Sequence, residues 1–87
     1  MPNFRTIQPR AEVREYYQEL LAKYKSKAAK KSAITRAIKD EQSDVDSMKQ
    51  CLRGKHVGHY HGDLITVAHI DAAEWVVRYL NNLYATL

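Results

Sequence analysis

The residues best suited to chemistry in this sequence are its single cysteine and its four histidines, which fall within nineteen residues. They are Cys51, His56, His59, His61 and His69. Thiolates and imidazoles bind zinc, but a zinc site needs three or four ligands that converge on the metal. The spacing here matches no standard zinc pattern, and on a β-hairpin His59 and His61 would lie on the face opposite His56 and His69. We therefore expect exposed or half-buried histidines rather than a metal site, and no cofactor.

Catalysis by the remaining polar residues has little support in the sequence. Cys51 lies beside Met48 and Leu52 near the end of an apolar helical stripe, which is the setting of a small core residue. A run of acids lacks the regular alternation and the glycine of a calcium loop, and it indicates a solvated helix face. That run contains Asp40, Glu41, Asp44 and Asp46. The three glycines form no phosphate-binding loop, so we predict that the protein is not an enzyme.

The strongest charge signal lies in residues 20–39, which hold seven of the fourteen basic residues and no carboxylate. We call these seven residues the basic stretch: Lys23, Lys25, Lys27, Lys30, Lys31, Arg36 and Lys39. A field of one sign is usually a contact surface for a negative partner, although a solubilising lysine surface is the alternative. Because lysine predominates over arginine, the pattern favours contact with phosphates over reading of bases. We predict that the basic stretch binds nucleic acid or another polyanion, such as an acidic protein surface.

Two amphipathic helices are expected to position the basic stretch. Pro9 suits the first turn of a helix, and residues 10–53 contain neither glycine nor proline. Apolar residues recur at helical spacing in two stripes. The first is Val13, Tyr17, Leu20 and Tyr24, and the second is Ile34, Ile38, Glu41, Val45, Met48 and Leu52. Glu41 is the one polar member, either an edge residue that reaches water or a polar register device at a helix–helix seam.

The join between the two helices falls inside the basic stretch. Ser26 and Ser32 are both possible N-caps for the second helix. We therefore predict a helix–helix turn here, with one continuous helix as the alternative. Gly54, preceded by Arg53, indicates the end of the second helix.

The segment after Gly54 predicts a short β-hairpin over about residues 56–68. Gly62 and Asp63 separate two strand-like runs and would form a two-residue turn with glycine first. That turn would pair Tyr60 with Ile65. The alternative is a helix that runs from Asp63 to the C-terminus.

A new helix is expected at Asp71, because Asp71 and Glu74 have the spacing of a capping box. The helix over residues 71–87 is apolar around most of its circumference, and such a helix must be covered on two sides. The first two helices can cover one side, and a second copy of the chain or a bound partner the other. We therefore predict a homodimer whose interface, or whose contact with a partner, contains Trp75, Val76, Tyr79, Leu80 and Leu83.

The sequence as a whole predicts one small domain over residues 1–87, mainly α-helical, with two amphipathic helices, a β-hairpin and an apolar C-terminal helix. One unpaired cysteine and the lack of a long apolar run favour a cytoplasmic protein that enters no membrane. With a net charge of +4, we expect a non-catalytic regulatory or accessory factor that binds nucleic acid mostly through phosphates. The alternative is a modulator or inhibitor that docks on a partner protein through the basic stretch and the C-terminal helix.

Overall fold

The computed structural model describes residues 3–87 and shows, within them, three helices and one two-stranded antiparallel hairpin. The elements are α1 (Arg10–Ala22), α2 (Lys27–Leu52), β1 (Val57–Tyr60), β2 (Asp63–Thr66) and α3 (Val67–Ala85). The predicted mainly helical architecture is confirmed. In the described part of the chain, none of the helices has the length and hydropathy needed to cross a bilayer.

The turn between α1 and α2 lies where the basic stretch predicted it. α1 ends at Ala22, and Ser26 is the N-cap of α2, because the backbone N–H of Ala29 donates to its Oγ at 3.1 Å. Ser32 lies inside α2 and caps nothing. The prediction of two helices is confirmed, and the alternative of one continuous helix is wrong.

The buried stripe of α1 is Val13, Tyr17 and Leu21. The sequence predicts Leu20 and Tyr24 in the stripe, but Leu20 is only half-buried and Tyr24 lies beyond the end of the helix. Because α1 ends at Ala22, it lacks the next turn that would have carried Tyr24 onto the buried face.

The core has two clusters that lie along α2. One joins the C-terminal half of α2 to the hairpin and to the start of α3; it contains Val45, Met48, Leu52, Tyr60, Ile65 and Ile70. The other joins the N-terminal half of α2 to α1 and to the later part of α3; it contains Val13, Tyr17, Leu21, Ile34 and Leu80. α1 and α3 therefore both run antiparallel to α2.

The hairpin has a register that differs from the predicted one. Tyr60 pairs with Asp63 instead of Ile65, because the two turn residues are His61 and Gly62. Both have positive φ, 50° and 85°, as a type I′ turn requires, and glycine suits the second position. A shift of two residues keeps every side chain on its predicted face, so Tyr60 and Ile65 still point into the core.

The start of α3 also differs from prediction, since the helix begins at Val67 rather than at Asp71. Thr66 is the N-cap, and Thr66 and His69 form a reciprocal capping box. The backbone N–H of Thr66 donates to His69 Nδ1 at 2.9 Å. The alternative of a helix from Asp63 is wrong as well, because Asp63 begins β2.

Both apolar sides of α3 are covered by its own chain. Ala73 and Val77 pack against the hairpin cluster, whereas the second cluster covers the other side of the helix, where Trp75, Val76, Tyr79 and Leu83 lie half-buried. Leu80 is fully buried between them, 0% exposed. The covering of α3 therefore does not require a second copy, and the homodimer stays a prediction.

Candidate polyanion-binding site

Five of the seven basic residues surround the turn between α1 and α2, and we call them the lysine turn. They are Lys23, Lys25, Lys27, Lys30 and Lys31. Lys23 is the C-cap of α1, and the last three occupy the first turns of α2. The described chain measures 45 × 20 × 18 Å, and α2 alone spans about 39 Å at 1.5 Å per residue. The lysine turn and the hairpin therefore lie at opposite ends of an elongated molecule.

The other two basic residues are set apart from the lysine turn. At 100° per residue, Arg36 and Lys39 project from the side of α2 opposite Ile34, which is fully buried. Both are exposed. Lys27, Lys30 and Lys31 instead project from the same side as Ile34, before the core begins. The structure thus brings together five of the predicted site residues and separates Arg36 and Lys39 from them.

Within the described residues, no lysine of the lysine turn forms an ion pair. Over residues 3–87, one ion pair lies within 4.0 Å, between Lys49 Nζ and Glu74 Oε1 at 3.9 Å, and it lies far from the turn along α2. The first turn of α2 contains no acid. The dipole of α2 disfavours the lysines of its first turns, because a helix N-terminus is already positive, whereas Lys23 lies at the C-terminus of α1, where a cation is favourable.

Backbone N–H groups at the N-terminus of α2 add to the positive potential of the lysine turn. The first N–H groups of a helix have no intrahelical acceptor, and at α2 the Ser26 side chain takes that of Ala29. Within the described chain the N–H groups of Lys27 and Ala28 have no acceptor. Such groups at a helix N-terminus bind phosphate oxygens well.

The aromatic side chains near the turn are not arranged for stacking on bases. Tyr24 is half-buried, and Tyr84, although 39% exposed, has Lys31 Nζ over its ring at 5.4 Å from the centroid. Single-strand binding uses exposed aromatic faces along a positive groove. The site is therefore suited to holding phosphates and poorly suited to reading bases.

The histidines take two different roles. His56, His59 and His61 are exposed on or beside the hairpin, whereas His69 is buried and both of its ring nitrogens are bonded. Nδ1 accepts from the Thr66 backbone, so Nε2 carries the proton that it donates to the backbone carbonyl of Arg5, 2.5 Å away. His69 thereby tethers the N-terminal segment to α3. No three His, Cys, Asp or Glu side chains of residues 3–87 are grouped so that they could hold a metal ion.

An open groove of about 800 Å³ lies under the N-terminal segment, between α1, α2 and α3. At its base Tyr60 donates its hydroxyl to Asp44 Oδ1 at 2.6 Å, and the Arg5 guanidinium lies 5.2 Å from the Tyr60 ring centroid. Sequence reasoning missed this cluster, because Arg5, Asp44 and Tyr60 come from three distant segments. The contact of Arg5 with the Tyr60 ring joins the N-terminal segment to the hairpin.

Three groups around this groove have raised pKa values. Burial, then the charges of Asp44 and Asp40, raises the pKa of Glu41. Burial and the nearby Glu41 raise the pKa of Tyr17 to about 12. The hydrogen bond to Asp44, with burial, raises the pKa of Tyr60. Glu41 itself is half-buried in the α2 stripe.

The aromatic residues predicted for a partner interface are engaged within the chain. The Trp75 and Tyr79 rings stack with centroids 5.4 Å apart, and the Arg10 guanidinium lies 4.9 Å from the Trp75 ring. A contact of these residues with a partner stays a prediction.

Comparison of the chain with family models, with curated proteins and with solved structures finds no match.

Proposed function

We propose that this chain is a non-catalytic, cytoplasmic regulatory or accessory factor that binds nucleic-acid duplexes, as a homodimer, through phosphate contacts at the lysine turn. The observation that supports the proposal is the concentration of positive charge at the turn. Five lysines and the N-terminus of a 26-residue helix share one end of the molecule without a carboxylate within 4.0 Å among the described residues. Phosphate groups supply the missing negative charge.

The test compares two double charge reversals that lower the net charge equally, from +4 to 0. Lys27→Glu with Lys30→Glu changes the lysine turn, and Arg36→Glu with Lys39→Glu changes the outer face of α2. Affinity for a duplex oligonucleotide is measured by fluorescence anisotropy over a range of salt concentrations. The wild-type slope of log affinity against log salt is expected to be about −4 to −5, since each phosphate contact contributes about −0.9.

Reversal in the lysine turn should make the slope less steep by about 2 and weaken binding at every salt concentration. Reversal of Arg36 and Lys39 should have a clearly smaller effect, although long-range attraction falls with the net charge. A flat salt response, or equal losses in the two variants, would contradict binding at the lysine turn.

Docking on a partner protein is the second candidate function, and exposed apolar side chains favour it. Tyr16, Phe4 and Ile7 are 60%, 59% and 43% exposed, and Tyr16 and Ile7 line the groove. Aromatic side chains of this kind are common anchors in protein interfaces. A pull-down with and without nuclease distinguishes the two functions, with the charge reversal of Lys27 and Lys30 as a second arm. A protein partner that survives both treatments would favour docking over nucleic-acid binding.

A further inference from the structure

The pairing of the hairpin determines which backbone groups of β1 face away from β2. Tyr60 and Asp63 flank the two-residue turn and form a hydrogen-bonded pair. In an antiparallel ladder such pairs alternate with pairs whose N–H and C=O groups point outward. The outward-facing residues of β1 are therefore His59 and Val57.

The same alternation holds on β2, where the outward backbone groups of Leu64 both have hydrogen-bond partners. Leu64 lies opposite His59, and its N–H donates to the Asn3 carbonyl at 3.0 Å. Its carbonyl accepts from the Arg5 N–H at 2.8 Å. The N-terminal segment thus covers the outer edge of β2.

The outer edge of β1 has no such cover among residues 3–87. No backbone hydrogen bond outside the hairpin reaches Val57 or His59 in this part of the chain. Native edge strands are usually protected by lysine, proline, a bulge or a covering segment. β1 has the sequence VGHY, which contains neither lysine nor proline, and Val57 is 43% exposed. The outward N–H and C=O groups of Val57 and His59 therefore have no partner among the described residues.

The charge distribution favours a second copy of this chain as the occupant. The two strands contain one residue that is charged at neutral pH when histidine is neutral, Asp63, and two exposed cations, Arg53 and Lys55, precede β1. The five lysines of the lysine turn lie at the far end of α2. Two copies joined at their hairpins keep their positive ends apart, and joining at any surface near the turn would bring like charges together.

The strand is also complementary to itself. With a two-fold axis at Gly58, Val57 of one copy lies opposite His59 of the other, and the reverse. In each such pair, the outward N–H group of each residue donates to the outward C=O group of the other. On the outer face, the row formed by Phe4, Leu64 and His59 would continue into Val57 of the second copy.

We propose that two copies of this chain associate antiparallel through their β1 edges and form one continuous sheet, with the two lysine turns at the far ends of the dimer. The inference rests on the homodimer in the proposed function and replaces α3 by β1 as its interface. Association of the two copies does not require nucleic acid.

The first test is sedimentation equilibrium of the full chain without nucleic acid, from micromolar to the highest attainable concentration. The wild type should approach twice the monomer mass. His59→Pro removes an outward N–H while leaving the pairing of β1 with β2 intact, and it should raise the dissociation constant about 10- to 30-fold, because the loss occurs in each copy. Val57→Lys changes only an exposed side chain and should also raise the dissociation constant of the dimer. It replaces His59→Pro in the test if that variant does not fold. Val67→Lys is the control, since Val67 is 52% exposed but lies on α3.

The second test is amide hydrogen exchange at rising protein concentration. The amides of Val57 and His59 should become protected as the dimer forms, whereas that of Leu64 should not change. A mass that stays monomeric at every concentration would overturn the proposal. So would a dimer that survives both β1 variants, or one that protects α3 and leaves β1 unprotected.

These results are separable from the test of nucleic-acid binding. The His59→Pro variant keeps every lysine, so it should still bind a duplex with the wild-type salt slope per monomer. A wild-type dimer that ignores duplex DNA would contradict the nucleic-acid function and leave the β1 interface supported.

Discussion

Gly58 is the residue at which the hairpin approaches α2 most closely. A Cβ atom at this position would lie 2.6 Å from the backbone oxygen of Cys51 and 2.9 Å from its carbonyl carbon. Backbone atoms cannot move aside as the end of a side chain can, so the hairpin would have to lift from the helix. Gly58→Ala should therefore destabilise the fold by about 1–3 kcal/mol. Urea unfolding followed by circular dichroism measures this, with His56→Ala, at an exposed position before β1, as control; equal stabilities of Gly58→Ala and the wild type would show that the hairpin tolerates a Cβ at Gly58.

Ionisation of Tyr17 should lower the free energy of unfolding at alkaline pH. Its pKa is raised from 10.0 to about 12, so the folded chain holds the proton that the unfolded chain releases near pH 10. The stabilisation is complete below pH 10 and is lost as the pH rises toward about 12. The free energy of unfolding should fall over that range, and Tyr17→Phe should reduce the fall. Urea titrations across the range, with tyrosinate absorbance in parallel, measure both; an unchanged pH dependence in Tyr17→Phe would refute the assignment.

At the scale of elements, the start of α3 depends on His69, which both caps the helix and tethers the N-terminal segment. His69→Ala removes both bonds and should cost about 1–2 kcal/mol. His69→Gln separates the two roles, because glutamine at this position completes a capping box but should not also reach the Arg5 carbonyl. We expect His69→Gln to regain part of the stability and still release the segment.

The release is measurable as the rate of tryptic cleavage after Arg5 under native conditions. Both variants should be cut faster than the wild type, and Arg78→Gln, at an exposed α3 position, serves as the control. Slow cleavage in both His69 variants would show that the pairing with Leu64 is sufficient to hold the segment.

The elements that the sequence predicted well are those decided by neighbouring residues. Ser26 caps α2 through a bond to Ala29, three residues away, and the hairpin follows from a local turn. The register was harder, because Gly62 can occupy either central position of a two-residue turn, and only the pairing of the strands decides between them. The capping role of His69 was not foreseen, since a histidine at this position is not a usual capping-box residue.

At the scale of the molecule, the sequence predicted where the excess of positive charge lies. It did not predict that five lysines gather at the turn while Arg36 and Lys39 lie on another side of α2. Helical periodicity alone places Arg36 and Lys39 apart from the first lysines of α2 once the start of the helix is known, and that start depended on the choice between Ser26 and Ser32. The sequence did not predict which elements cover the two apolar sides of α3. The covering depends on how α1, α2 and the hairpin share the two sides, which is a property of the packed chain.

The tether between His69 and Arg5 joins residues 64 positions apart, and this separation bears on the order of folding. The hairpin joins neighbouring segments and can form early, whereas the tether needs α3 and β2 in place first. We therefore expect it to be absent from the folding transition state, so that its loss speeds unfolding and leaves the rate of folding almost unchanged. The N-terminal segment would then be the last part of the chain to join the fold and the first to leave it.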